Sequence, residues 1–167
     1  SSDVCSSDLA NGQHQHAANQ RQPGIMPAQT RAAGTGNGQA AVALAGHFTR
    51  VVATEPSAAQ LEQATPHPRV TYHQSAETAP VLGDASVDLV TVAQAAHWFD
   101  RPKFYAEVRR VLRPGGVVAL WTYGLSTISS EIDAAVMRVY NGPIGPYWPP
   151  ERHHPETGYR ELDFEFP

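Results

Sequence analysis

Three glycines at a spacing of two, in Ala33-Gly34-Thr35-Gly36-Asn37-Gly38-Gln39, run straight into an alanine-rich stretch that ends at Leu44. Glycine is the residue for positive φ and for backbone that lies against a ligand with no Cβ in the way. A tight turn opening a helix meets both demands, and it offers unpaired N–H groups at the helix start. Ala40, Ala41, Ala43 and Ala45 let such a helix lie close to a sheet. A glycine turn alone fits many chains, so the decisive signals are those at fixed distances downstream.

The spacing predicts a helix over 38–46, stopped by Gly46. Arg50 to Thr54 reads as a strand buried on both faces and ends in Glu55-Pro56-Ser57. Ser57 caps a helix over 58–64, Pro66 and Pro68 close that unit, and residues 69–73 form the next strand. Val87 to Ala93 is the strongest strand. Asp100 caps a helix with Pro102 in its first turn and Phe104, Val108, Val111 and Leu112 on its buried face. Pro114-Gly115-Gly116 ends that helix and turns into the strand Val117 to Trp121. A last helix over 130–140 has Ser130 and Asp133 as a capping box and Ile132, Val136, Val139 and Tyr140 on one side. Residues 141–167 read as irregular, and no internal repeat is visible. Strands alternating with helices in this rhythm give an α/β fold, a Rossmann-like parallel sheet with helices on both faces.

Composition narrows the partners. The 167 residues suffice for one domain with a real core, and a net charge of −4 argues against nucleic-acid and polybasic membrane surfaces. No apolar run approaches the roughly 20 residues of a membrane span. Cys5 has no second cysteine to pair with, which suits a cytoplasmic location, and the N-terminus lacks the charged start and apolar core of a signal peptide. Residues 1–9 look like translated sequencing-adapter read-through, and 10–30, rich in Gln, Ala, His and Asn, are expected to be disordered. That leaves 31–125 as the core and 126–167 as a helix plus an irregular Pro- and aromatic-rich segment of the same domain. His14 with His16, and His153 and His154 beside Glu151 and Glu156, lack the spacing to converge on an ion, so no metal site is expected.

In an open α/β sheet the ligand sits beyond the carboxyl ends of the strands, where strand order reverses. Glu55 ends the strand next to the glycine turn, where a carboxylate can accept hydrogen bonds from both hydroxyls of a ribose. A nicotinamide dinucleotide would suit such a site too, but its fingerprint is G-x-G-x-x-G, and here Gln39 stands where the third glycine would fall. The shorter G-x-G-x-G turn resembles that of the class I S-adenosylmethionine-dependent methyltransferases. So do Val52 to Ser57, Ser75-Ala76-Glu77, Ser86 to Val90 and Leu112 to Gly116. Ala93-Gln94-Ala95-Ala96-His97-Trp98-Phe99 and Gly145 to Arg152 look like the subgroup of methyltransferase type 11 domains related to trans-aconitate methyltransferases.

The resemblance implies S-adenosyl-L-methionine as cofactor and methyl transfer to the carboxylate or hydroxyl of a small molecule. It places Gly34, Gly36 and Gly38 under the amino-acid part of the cofactor, Glu55 at the ribose and Pro56 at the adenine edge. Ser75 and Ala76 would flank the base, with Ala93 and Gln94 beneath the methionine moiety. A carboxylate nucleophile arrives ionised; a hydroxyl needs a base, for which His97 is the candidate. The other reading of His97 and Trp98 is wall packing, and Trp98, Phe99 and Tyr123 would shape the substrate side. An NAD-linked oxidoreductase and a cofactor-binding remnant without chemistry remain as rival readings.

The chain departs from the family pattern in two places. The acidic residue expected two positions before the first loop glycine is Ala32, and Gln29-Thr30-Arg31 is not an apolar strand, so the first strand reads as eroded. The final strands of the sheet are also expected to be missing, as in an incomplete gene model, leaving weak cofactor binding and open sheet edges.

Overall fold

The structure, a computed structural model, describes residues 26–164 and 166. The adapter-like residues 1–9, the stretch 10–25 and His14 and His16 lie outside them. The strands are β1 (Met26–Ala33), β2 (Phe48–Glu55), β3 (Val70–Gln74), β4 (Val87–Ala93) and β5 (Leu112–Trp121). The helices are α1 (Gln39–Leu44), α2 (Ala58–Glu62), α3 (Arg101–Val111), α4 (Ser130–Asn141) and α5 (His153–Glu156), with 3-10 turns at Ala96–Trp98, Gly145–Tyr147 and Pro150–Arg152.

The five strands form one parallel sheet in the order β3-β2-β1-β4-β5. Strand order reverses beside β1, which pairs β2 on one side and β4 on the other, so the crevice lies beyond the ends of β1 and β4. Period-two alternation sends β2 into two cores. Val51 and Ala53 pack with Ala41 of α1 and with Ala45, which caps its end; Val52 joins Val90, Val92, Phe104, Val108 and Val111 on the α3 face. All of Val51 to Glu55 is buried, as expected of a central parallel strand.

The first strand corrects the sequence reading. Residues 26–33 form the middle of the sheet, so 26–30 are strand rather than disordered, and the first strand is present rather than eroded. Thr30 and Arg31 are fully buried, and Thr30 Oγ1 donates to the Leu89 carbonyl at 2.9 Å. Arg31 Nη2 donates to Thr54 Oγ1 at 3.2 Å and to the carbonyls of Ala76 and Glu77 at 3.2 and 2.8 Å. Burial holds the Arg31 pKa down to about 10, with the Arg110 charge adding to that and Glu107 and Glu77 opposing it.

Other boundaries shift less. Ser57 and Asp100 cap α2 and α3, accepting from the backbone N–H of Gln60 and Lys103. β5 starts at Leu112, directly after α3, and Gly115 at φ 79° falls within the strand rather than in a turn before it. Ser129, not Ser130, caps α4 by accepting from Ile132 N–H, while Asp133 accepts from Ile128 N–H. The apolar side of α4 is exposed, with Ile132, Val136 and Val139 facing outward. Beyond Asn141 the described residues make only single helical turns and the four-residue α5. No described helix is long and apolar enough to cross a membrane.

Candidate active site

All three loop glycines take positive φ, but they do different work. A Cβ on Gly34 (φ 63°) would overlap Ala95 and approach the Phe99 ring at 3.1 Å, so this glycine lets the loop lie on the core. Gly38 (φ 90°) has the Tyr72 phenol where its Cβ would be. Gly36 (φ 56°) opens outward, with Gln60 Oε1 at 3.9 Å the nearest atom to a Cβ built there. Of the three it leaves room for a ligand against backbone.

Glu55 lies directly behind that position. Its Oε2 accepts from Gly36 N–H at 2.9 Å and its Oε1 from Ser57 N–H at 3.1 Å. The expected facing of loop and carboxylate is therefore present, with the carboxylate holding the loop in shape. Each oxygen keeps a second acceptor direction.

Above the loop is a cavity of about 510 Å3, lined by Gly34, Thr35, Gly36, Gln60, Gln94 and Tyr123 among others. Ala32 and Ala33 from β1, Thr91 and Ala93 from β4 and Trp121 from β5 complete its floor at the carboxyl ends of these strands. Its size is that of a small-molecule site. Expected residues that meet there are Gly34, Gly36, Ala93, Gln94 and Tyr123. Gly38, Glu55, Pro56, Ser75 and Ala76 lie outside its lining; Glu55 and Ser75 stand together at adjoining strand ends, where Ser75 N–H donates to the Glu55 carbonyl at 3.1 Å. Thr35, Asn37, Gln39, Gln60, Thr91 and Trp121 are new. Asn37 and Gln39 follow from the loop itself, whereas Gln60 needed the fold of α2 over it.

Residues 32–120, more than half of the chain, match the family model described as a methyltransferase domain. The chain belongs to this family. A Dictyostelium discoideum protein provisionally named a methyltransferase is 44% identical over 136 residues, covering 80% of this chain and 52% of that protein. The malonyl-[acyl-carrier protein] O-methyltransferase of Dechloromonas aromatica is 38% identical over 108 residues, covering 63% of this chain and 40% of that protein. A solved structure from Anaeromyxobacter dehalogenans, provisionally named a type II methyltransferase, superposes with a TM-score of 0.75 at 50% identity over 84% of this chain and 60% of that one. The chain thus spans about half the length of the curated relatives it matches.

In this methyltransferase domain the Ala93–Phe99 segment splits into three environments. Gln94 sits at the cavity in a positive-φ conformation (55°), which is uncommon for a residue with a side chain and marks stored strain. Its Nε2 donates to the Tyr123 carbonyl at 2.8 Å, and its Oε1 accepts from Thr122 Oγ1 at 2.7 Å. Phe99 corrects the expected substrate wall: it is buried against Phe104, with ring centroids 5.0 Å apart, and against Gly34. His97 and the exposed Trp98, their rings 4.7 Å apart, line a different cavity with Asp100, Arg101, Glu151 and His154. Burial lowers the His97 pKa, the His154 and Arg152 charges lower it further, and Glu151 opposes them.

A further cavity of about 680 Å3 begins at Gly124 and Leu125, the residues that follow Tyr123. Met137, Tyr140, Trp148 and Arg152 line it. The Tyr140 and Trp148 rings are 4.9 Å apart, and the Arg152 guanidinium lies 5.5 Å and 4.8 Å from their centroids, within cation–π range. Arg152 Nε donates to Tyr140 Oη at 2.7 Å. Sequence reasoning missed this cluster because Trp148 and Arg152, from the segment read as irregular, must fold back onto Met137 and Tyr140 of α4 to form it. His153 is paired with Glu161 through Nε2 at 2.7 Å.

Proposed function

We propose that this domain binds S-adenosylmethionine in the cavity over the glycine loop and transfers its methyl group to a small-molecule acceptor carrying a carboxylate or hydroxyl. The observation that supports the reading best is Gly36, open to the cavity and tied from behind by Glu55. When bound, the cofactor supplies a methyl group on a positively charged sulfur that leaves as a neutral thioether. The loop backbone at Thr35, Gly36 and Asn37 would receive its amino-acid part, the free acceptor directions of Glu55 its ribose, and Ala93 and Gln94 its methionine side. Pro56, Ser75 and Ala76 would form the base end. The aromatic cavity begins at Gly124, next in the chain to Tyr123 of the first cavity, and offers itself as the acceptor's place.

The residues' task is alignment rather than bond polarisation. Holding the acceptor in line with the methyl group can lower the barrier by about 7–11 kcal/mol. A carboxylate acceptor needs no base. A hydroxyl acceptor would use His97 only where it reaches the cavity that His97 lines with Trp98 and His154, which shares Pro150 with the aromatic cavity.

Calorimetry with S-adenosylhomocysteine and with NADH tests the reading. S-adenosylhomocysteine should bind with a Kd in the range of roughly 1 μM to 1 mM common for enzyme ligands, and NADH should give no heat. Saturable NADH binding without S-adenosylhomocysteine binding would replace the methyltransferase reading with a dehydrogenase one. Cofactor binding with no label transferred from methyl-labelled cofactor to a metabolite pool would leave a binding domain without chemistry.

A further inference from the structure

The aromatic cavity at Gly124 holds a cation whose pairing is incomplete. Arg152 donates its single Nε–H to Tyr140 Oη at 2.7 Å, and the Tyr140 hydroxyl gives its own proton to Glu156 Oε1. Glu156 Oε1 stands 3.8 Å from the same Nε. Both contacts of the guanidinium therefore fall on Nε. Its Nη1 and Nη2 have no partner among the described residues, and the side chain, 32% exposed, lines the cavity.

The rings beside it are tied together. Trp148 Nε1 donates to the Tyr140 carbonyl at 3.1 Å, so indole, phenol and guanidinium form one linked unit. A pair of aromatic rings by itself is a place for a cation. Here both rings already lie within reach of the Arg152 guanidinium, and a second cation would meet its charge. An anion meets the opposite situation. The planar fork of Nη N–H groups matches the two oxygens of a carboxylate. Leu125, Met137, Pro149 and Pro150 add an apolar wall, which calls for an apolar body, and the Trp148 ring favours a flat one. Glu156 opposes an anion, but its contact with Arg152 is at Nε, away from the fork.

We propose that Arg152 is the anion-recognition residue of this cavity, and that the cavity takes a flat organic acid with its carboxylate on Nη1 and Nη2 and its unsaturated body along Trp148. Calling that acid the methyl acceptor rests on the proposed function; its binding does not. Between the two acceptor classes, the cavity thus selects molecules that carry a carboxylate as a handle, whichever oxygen receives the methyl group.

Fluorine spectra of the full chain labelled with 5-fluorotryptophan read the binding without cofactor. The chain has three tryptophans, and Trp148→Phe assigns the resonance of interest. Cinnamate is the probe, and cinnamamide, of the same shape without the charge, is its control. Cinnamate should shift the Trp148 resonance saturably with a Kd of roughly 1–10 mM, the scale for so small a ligand. Cinnamamide should bind at least about tenfold more weakly, as expected when hydrogen bonds between charged groups are lost. Arg152→Met should bring cinnamate down to the level of cinnamamide while leaving cinnamamide unchanged. Glu156→Gln keeps an acceptor for the Tyr140 hydroxyl and removes the opposing charge, so cinnamate should bind about threefold more tightly at low salt, a gain that damaged folding does not produce. No saturable shift, equal binding of the two probes, unchanged cinnamate binding in Arg152→Met or weaker cinnamate binding in Glu156→Gln overturns the proposal. Failure of S-adenosylhomocysteine binding in the separate calorimetry would overturn the proposed function and leave the acid site standing.

Discussion

Glu55 uses both carboxylate oxygens on backbone, taking Gly36 N–H at 2.9 Å and Ser57 N–H at 3.1 Å, so it shapes the loop before any ligand arrives. Replacing it with Gln turns one acceptor into a donor that faces an N–H. Glu55→Gln should lower stability by about 1–3 kcal/mol, the scale of a charged hydrogen bond to a buried donor, and weaken S-adenosylhomocysteine binding by at least about tenfold. Chemical denaturation and calorimetry on one preparation check both. His97 makes a separate prediction. Burial holds its folded pKa below the unfolded value, with the His154 and Arg152 charges adding and Glu151 opposing. A group depressed in this way binds fewer protons folded than unfolded between the two pKa values. Its contribution is thus fully present above the unfolded value, near pH 6.5, and lost as pH falls through the folded one. The His97 ring resonances should titrate below those of an unstructured histidine, and His97→Gln should flatten the fall in stability in that window.

The connection from Ser75 to Asp84 has no regular structure and is held by the elements beneath it. Glu107 of α3 accepts from Ala79 N–H at 2.7 Å, and Arg110 reaches the Leu82 carbonyl at 2.9 Å and Asp84 at 2.8 Å. Arg31 of β1 holds the carbonyls of Ala76 and Glu77 from the other side. This is how a segment without backbone ladder bonds stays at the base end of the proposed cofactor site. Hydrogen bonding from Arg110 holds the Glu107 pKa below its usual value, aided by Ala79 N–H and opposed by burial. A depressed carboxylate stabilises the fold above its unfolded pKa, near 4.5, and the contribution disappears as pH falls through the lower folded value. Glu107→Gln should cost about 1–3 kcal/mol at neutral pH. It should also reduce the acid-limb slope, which Glu77 shares, when unfolding is followed by circular dichroism between about pH 5 and 3.

Among the described residues β5 is an edge strand on which Val117 is 56% accessible, and α4 leaves Ile132, Val136 and Val139 exposed. Unpaired strand edges with apolar neighbours template association. The chain should show sedimentation coefficients that rise with concentration, and Val117→Lys should reduce that rise while leaving the near-ultraviolet spectrum unchanged. The order of elements, the two-faced burial of β2 and the glycine loop with its acid on the next strand were all legible in the sequence, because period, capping and glycine spacing are local signals. β1 was not: Gln29, Thr30 and Arg31 carry no apolar pattern, and they become strand because β2 and β4 supply ladder partners while Leu89 accepts from Thr30 and Thr54, Ala76 and Glu77 accept from Arg31. The burial of Phe99 under Gly34 and the cavity at Gly124 were likewise beyond a local reading. The amino-acid sequence by itself determined the family, the alternation and the loop chemistry, since each follows from residues within one element. Only the tertiary structure decided which side chains meet, as with His97 and Tyr159, 62 positions apart, because such contacts are set by how packed faces close on one another.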